Sequence, residues 1–158
     1  MDRMKHTISR RSLLGMALAA AAPLVAGVRL SAQAKPQMTV YKDVSCGCCE
    51  KWVEHMQANG FDVKAVNVDD IDKVKKERGV PAAAQSCHTG VVGAYLVEGH
   101  VPAAAVKKML AEKPAIAGIA VPGMPMGSPG MEVPSGQKDK FDVVAFDKAG
   151  KITVYVKG

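Results

Sequence analysis

Residues 38–60, with the sequence MTVYKDVSCGCCEKWVEHMQANG, determine the predicted fold. Residues 38–42 alternate apolar and polar side chains, which is typical of a half-buried strand. A run of cysteines follows, and apolar side chains then recur on one face of a predicted helix over 50–59. Gly60 ends that helix as a C-cap glycine does. This stretch therefore predicts a strand, a group of thiols and a helix, in that order.

The following residues continue the alternation of strands and helices. Residues 61–68 alternate strictly and predict a second strand, and the polar stretch 69–78 predicts a short helix closed by Gly79. This order favours a parallel pair of strands joined by a crossover helix. Residues 91–97 predict one or two strands that Gly93 interrupts, and Pro102 opens a third helix.

The C-terminal part has a different composition. Residues 118–136 are rich in glycine, proline and methionine, and predict a long loop. Residues 141–146 and 151–156, with a turn between them, predict a hairpin. The predicted fold class is α/β, a thioredoxin-like mixed sheet flanked by helices, with a Gly/Pro/Met loop and a C-terminal β-hairpin.

Four cysteines carry the strongest chemical signal: Cys46, Cys48, Cys49 and Cys87. A helix N-terminus carries a partial positive charge, which favours the thiolate form of nearby cysteines. Thiolates are both metal ligands and nucleophiles. Cys46 and Cys49 also have the C-x-x-C spacing of redox motifs. Metal binding, disulfide exchange and a purely structural pair of disulfides all remain open at this point.

Other candidate ligands are two histidines and three methionines. His88 follows Cys87 directly, and His100 stands at the turn before the third helix. Soft thiolates and thioethers select copper(I), whereas zinc rarely takes methionine. The methionines of the loop therefore favour copper, and each has a packing role as its alternative. They are Met124, Met126 and Met131.

The N-terminal residues 1–34 predict a cleaved export signal of the twin-arginine type. Arg10 and Arg11 precede an uncharged, alanine-rich segment over 13–28, and an A-x-A site follows at 32–34. A membrane anchor is the alternative, but the apolar segment is short for a helix that crosses roughly 30 Å of hydrocarbon. We expect residues 35–158 to form a single periplasmic domain without stable membrane insertion after cleavage.

Charge and motifs exclude several functions. The net charge of +6 falls to +2 without residues 1–34, because that segment holds five basic residues and one acidic residue. No basic stripe interleaved with aromatics appears, so nucleic acid is not an expected partner. The sequence also lacks a phosphate-binding P-loop, a nucleophile elbow and an H-E-x-x-H motif.

Five separated motifs occur in order along the chain: the run 46–49 with Trp52, then 79–81, 86–89, 97–102 and 121–131. Together they resemble the bacterial family catalogued as domain of unknown function 411. The resemblance covers residues 39–155, with Gly90 as a minor departure where alanine is expected. It implies an exported, thioredoxin-like, metal-binding protein that is often found in copper-handling contexts.

The sequence thus predicts a copper(I)-binding protein in copper tolerance or delivery, without catalysis of its own. Cys46, Cys49 and Cys87 are the expected principal ligands, with Cys48 as a fourth or a substitute, and zinc is the alternative metal. Another periplasmic copper protein is the expected partner. The alternative function is a thiol–disulfide oxidoreductase that uses Cys46 as nucleophile and Cys49 as resolving thiol.

Overall fold

Helices and strands alternate along the chain in the computed structural model, which describes residues 34–158. The predicted export signal lies outside the described residues, apart from Ala34. The strands are β1 Gln37–Lys42, β2 Asp62–Asn67, β3 His88–Val92, β4 Tyr95–Glu98, β5 Gly118–Ala120, β6 Val143–Phe146 and β7 Ile152–Val156. The helices are α1 Gly47–Ala58, α2 Ile71–Arg78 and α3 Ala103–Glu112, with a 3₁₀ turn at Ala82–Ala84.

These strands form one mixed sheet in the order β2-β1-β3-β4-β5-β6-β7. β1 pairs with β2 and β4 pairs with β5 in parallel, and the other neighbours are antiparallel. The prediction of a mixed α/β fold is confirmed. The predicted parallel pair and the C-terminal hairpin of β6 and β7 are also present.

Local chemistry accounts for the ends of α2. Asp70 caps its N-terminus, since the carboxylate accepts a hydrogen bond of 2.9 Å from the Lys73 amide. Gly79 follows the last turn with a φ of 74°, a left-handed conformation that glycine adopts without strain. The sequence placed both ends of this helix within two residues because the capping residues are local signals.

The predicted loop over 118–136 is wrong at its start, where Gly118–Ala120 form β5 in the interior of the sheet. All three residues of β5 are buried. A Cβ on Gly118 would approach the Leu96 carbonyl and lie 2.7 Å from the Phe146 ring. The glycine therefore allows β4 and β6 to lie close to β5. A strand of three residues that contains a glycine has almost no local sequence signal.

The main hydrophobic core lies between the sheet and helices α1 and α3, which both contribute buried side chains to it. Met38 and Val40 of β1 pack in one buried cluster with Trp52 of α1 and with Met109 of α3. The methionines expected in the core, Met38, Met56 and Met109, are all buried there. Within residues 34–158, no helix has the length and apolar character needed to cross a bilayer.

Candidate metal centre

The cysteine run lies at the N-terminus of α1. Cys46 is the residue that precedes the helix, and Cys48 and Cys49 lie in its first turn. The predicted helix began three residues later, at Glu50. The earlier start places these sulfur atoms where the helix dipole and the free amide groups stabilise negative charge.

The Cys87 sulfur lies close to the cysteine run, although Cys87 is far from it in the sequence. It directly precedes β3, and β3 pairs with β1 so that His88 faces Lys42. The strand pairing thus brings the end of β1, where the cysteine run follows, next to Cys87. The four cysteine sulfurs all lie within 4.8 Å of one another.

Two of these cysteines are bonded to each other. Cys46 and Cys49 form a disulfide, whereas Cys48 and Cys87 are free thiols. The Cys48 sulfur lies 3.6 Å from that of Cys46. The four-sulfur group therefore exists in an oxidised form in which two of its members cannot act as thiolates.

His100 presents a nitrogen lone pair to Cys87. Its Nδ1 lies 2.8 Å from the Pro129 carbonyl oxygen, which can only accept a hydrogen bond, so Nδ1 carries the proton. Nε2 is then the acceptor, and it lies 3.0 Å from the Cys87 sulfur. Burial lowers the pKa of His100, although the Pro129 carbonyl raises it. A neutral imidazole held by a carbonyl in this way is the form that binds metals.

His88 is the second histidine at Cys87. Its Nδ1 lies 3.3 Å from the Cys87 sulfur, and its ring packs 4.4 Å from that of Trp52. The pKa of His88 lies well below its usual range, first because of burial and then because protonation of His88 is opposed by protonation of His100 and by the positive charge of Lys75. Among the described residues, its buried Nε2 has no hydrogen-bond partner. Such an orphaned nitrogen is uncommon and suits a group that accepts a ligand.

The Cys87 thiol is expected to be unreactive in the metal-free protein. Burial, and then the charge of Cys48, raise the pKa of Cys87 to about 12. Because only the thiolate reacts, the alkylation rate at Cys87 should rise about tenfold per pH unit from pH 8 to pH 10. Peptide mass spectrometry after timed iodoacetamide treatment measures this rate. A plateau near pH 9 would contradict the raised pKa.

The methionine loop, residues 121–136, contacts the candidate metal centre through backbone atoms. Pro129 accepts the bond from His100, and a Cβ on Gly130 would lie 2.8 Å from the Cys48 carbonyl oxygen. Of the predicted methionine ligands, Met124 is 54 % exposed, and Met126 and Met131 are half-buried. The structure therefore places the loop against α1, and the role of its thioethers as ligands stays a prediction.

Sequence reasoning missed the buried charges around the centre. Lys42 lies at the end of β1, and its Nζ is 2.6 Å from the Glu50 carboxylate. Lys75 and Glu98 form a second pair at 2.6 Å in which both side chains are buried. A lysine in a polar helix such as α2 looks solvent-exposed in the sequence, so no periodic signal could have identified Lys75.

Comparisons with known proteins add a family and two solved structures. The model of the family described as "Protein of unknown function, DUF411" matches residues 84–131, which include Cys87, His88 and His100. Form 2 and Form 1 of a copper resistance protein copG are each 44% identical to this chain, with TM-scores of 0.74 and 0.73. Each match covers 78% of this chain and 98% of the solved one. A comparison with curated proteins finds no match.

Proposed function

Because the chain belongs to the copper-associated DUF411 family, we propose that it is a periplasmic copper(I)-binding protein in copper tolerance or delivery. The single observation that carries this proposal is the group of four cysteine sulfurs within 4.8 Å of one another. Thiolates are the protein ligands that copper(I) prefers. The name of the two solved relatives, copper resistance protein copG, agrees with this choice of metal.

In the proposed site, Cys46, Cys49 and Cys87 are the principal ligands and Cys48 is the fourth. Reduction of the Cys46–Cys49 disulfide by a dithiol must come first, since a disulfide sulfur is not a thiolate. His88 and His100 complete the donor set as neutral imidazoles beside Cys87. Met124, Met126 and Met131 shield or complete the site from the loop. Zinc is the alternative metal for the same thiolates and imidazoles.

The remaining parts of the proposal concern fold and location. The strand order β2-β1-β3-β4, with cysteines at the start of α1, supports a thioredoxin-like plan to which β5, β6 and β7 are added. We take residues 35–158 as its single domain. The twin-arginine pattern of residues 1–34 supports export to the periplasm and cleavage. Another periplasmic copper protein would then receive or supply the metal.

The disulfide favours a second function, that of a thiol–disulfide oxidoreductase. Cys46 and Cys49 form a C-x-x-C pair at a helix N-terminus, which is the arrangement that activates a thiolate for exchange. Reduction of a substrate disulfide would oxidise this pair and give the substrate two thiols. The thioethers of the loop have no part in that reaction.

Copper(I) titration of the full chain, reduced and kept anaerobic, tests the first function. In competition with a chromophoric copper(I) chelator, the parent should bind a defined number of ions. Cys46→Ser should weaken binding by more than about 100-fold, since even residues that only support ligands contribute about 10–100-fold. Met124→Leu, which retains all four cysteines, is the matched variant and should weaken binding less.

Two results would count against the copper proposal. A reduced parent that fails to compete for copper(I) would exclude it. Insulin reduction that disappears in Cys46→Ser but persists in Met124→Leu would, together with that failure, leave the oxidoreductase as the better account.

A further inference from the structure

A buried ion pair lies next to the segment that carries Cys87, and neither of its two residues is a predicted metal ligand. The Lys75 Nζ of α2 lies 2.6 Å from Oε1 of Glu98, at the end of β4, and both side chains are almost fully buried. Thr89 of β3 is also buried and lies 3.2 Å from the same Nζ. Two charges removed from water are costly to bury, so their position in the fold calls for a reason beyond stability.

The hydrogen bonds of Glu98 connect it to the chain on both sides of Cys87 and His88. Oε1 accepts a bond of 2.7 Å from the Ser86 amide, directly before Cys87. Oε2 accepts a bond of 2.6 Å from the Thr89 hydroxyl, directly after His88. A single carboxylate therefore holds the two residues that flank the predicted ligand pair.

Ser86 depends on Glu98 more than Thr89 does. Thr89 belongs to β3 and is also paired with Glu98 in the sheet, whereas Ser86 precedes the strand and lies outside the ladder. The Ser86 hydroxyl donates to the Gly123 carbonyl of the methionine loop and also lies 3.9 Å from the Cys87 sulfur. The Glu98 carboxylate thus ties the segment before β3, which carries the Cys87 sulfur, to β4.

We propose that Glu98, neutralised by Lys75, is a positioning residue that holds Cys87 against the cysteine run. The Lys75 ammonium lies 2.6 Å from the carboxylate, which accepts hydrogen bonds of 2.7 Å from Ser86 and 2.6 Å from Thr89. The spacing of the Cys87 sulfur from those of α1 then follows from this network. Its consequence for metal affinity rests on the copper-binding function proposed above.

The decisive variant is Lys75→Met combined with Glu98→Met in the full chain. Apolar residues of similar volume can replace a buried ion pair without loss of stability, so the double variant separates positioning from folding. Lys108→Met combined with Glu112→Met is the matched control, because that pair is exposed on α3 with its charged atoms 2.9 Å apart. Thermal unfolding monitors the fold of each protein.

Two measurements follow at a temperature where every variant is folded. Copper(I) affinity in the Lys75/Glu98 variant should fall about 10–100-fold, as is usual when groups that orient ligands are lost. Alkylation of Cys87 in the metal-free protein should become at least about threefold faster, since a released segment exposes its thiol. Neither value should change in the control.

The results of these two measurements either support or overturn the positioning role of Glu98. Unchanged alkylation at Cys87 would overturn the positioning role, and faster alkylation with unchanged copper affinity would overturn its relevance to the metal site. A parent that binds no copper(I) refutes the proposed function alone, because alkylation still tests the positioning. If the double variant does not fold, Thr89→Val removes one of the two flanking bonds, and the same two measurements apply to it.

Discussion

Trp52→Ala should lower the free energy of unfolding by about 3–5 kcal/mol, the usual range for removing a buried tryptophan. The Trp52 side chain is completely buried in the core between the sheet and α1. Its indole nitrogen donates a hydrogen bond of 2.9 Å to the Val101 carbonyl oxygen. Its ring also packs 4.4 Å from His88. Urea unfolding followed by circular dichroism measures the change.

Trp52→Phe is the matched variant for this prediction. It retains an aromatic ring but removes the indole N–H, so the buried Val101 carbonyl loses its donor at a cost of about 1–3 kcal/mol. The loss should therefore be smaller than for alanine. Equal stability of the alanine variant and the parent would show that this face of α1 does not pack as described.

Gly130→Ala should detach the methionine loop from α1 and weaken copper(I) binding at least about tenfold, as loss of groups that orient ligands does. Gly130 has a φ of +87°, and a Cβ there would lie 2.8 Å from the Cys48 carbonyl oxygen and 2.9 Å from the Trp52 amide nitrogen. The loop must therefore move away. Its departure would remove the Pro129 carbonyl that holds His100.

Gly123→Ala distinguishes backbone strain from loss of the contact between the loop and α1 as the cause of weaker binding. Gly123 lies in the same loop with a φ of +69°, but a Cβ there would meet nothing within 4 Å. The substitution introduces comparable backbone strain, of the order of 1–3 kcal/mol, without the contact with α1. Chelator competition and thermal unfolding of both variants provide the comparison. Equal copper(I) affinities would show that contact of the loop with α1 does not matter to the site.

Much of the fold could be predicted because its signals are local. The alternation in β1 and β2, the cap at Asp70 and the left-handed glycine at Gly79 each involve only a few neighbouring residues. The sequence prediction starts α1 three residues late because it treats the cysteines as a motif that precedes the helix, although buried Cys49 lies on the same face as Trp52 and Met56. β5 was missed because its strand character comes from pairing with β4 and β6.

The residues of the candidate site were predictable from the sequence, but their positions relative to one another were not. The six cysteine and histidine candidates are brought together in two overlapping groups that share Cys87. The buried partners of this site were not foreseen, since Lys75 and Glu98 are separated along the chain and meet only through α2 and β4. Charged side chains are usually exposed, so the sequence favoured the wrong environment for both.

By itself, the sequence determined the order of the elements, the thiol group at a helix start and the family, because these depend on local patterns and on motifs. Only the tertiary structure decided that Cys46 pairs with Cys49, that Cys87 meets them, and that Glu98 holds Ser86. The sequence left the pairing of the four cysteines open. The other two contacts depend on strand pairing, of β1 with β3 for Cys87 and of β3 with β4 for Glu98. These pairings join segments whose separation along the chain no local periodicity records.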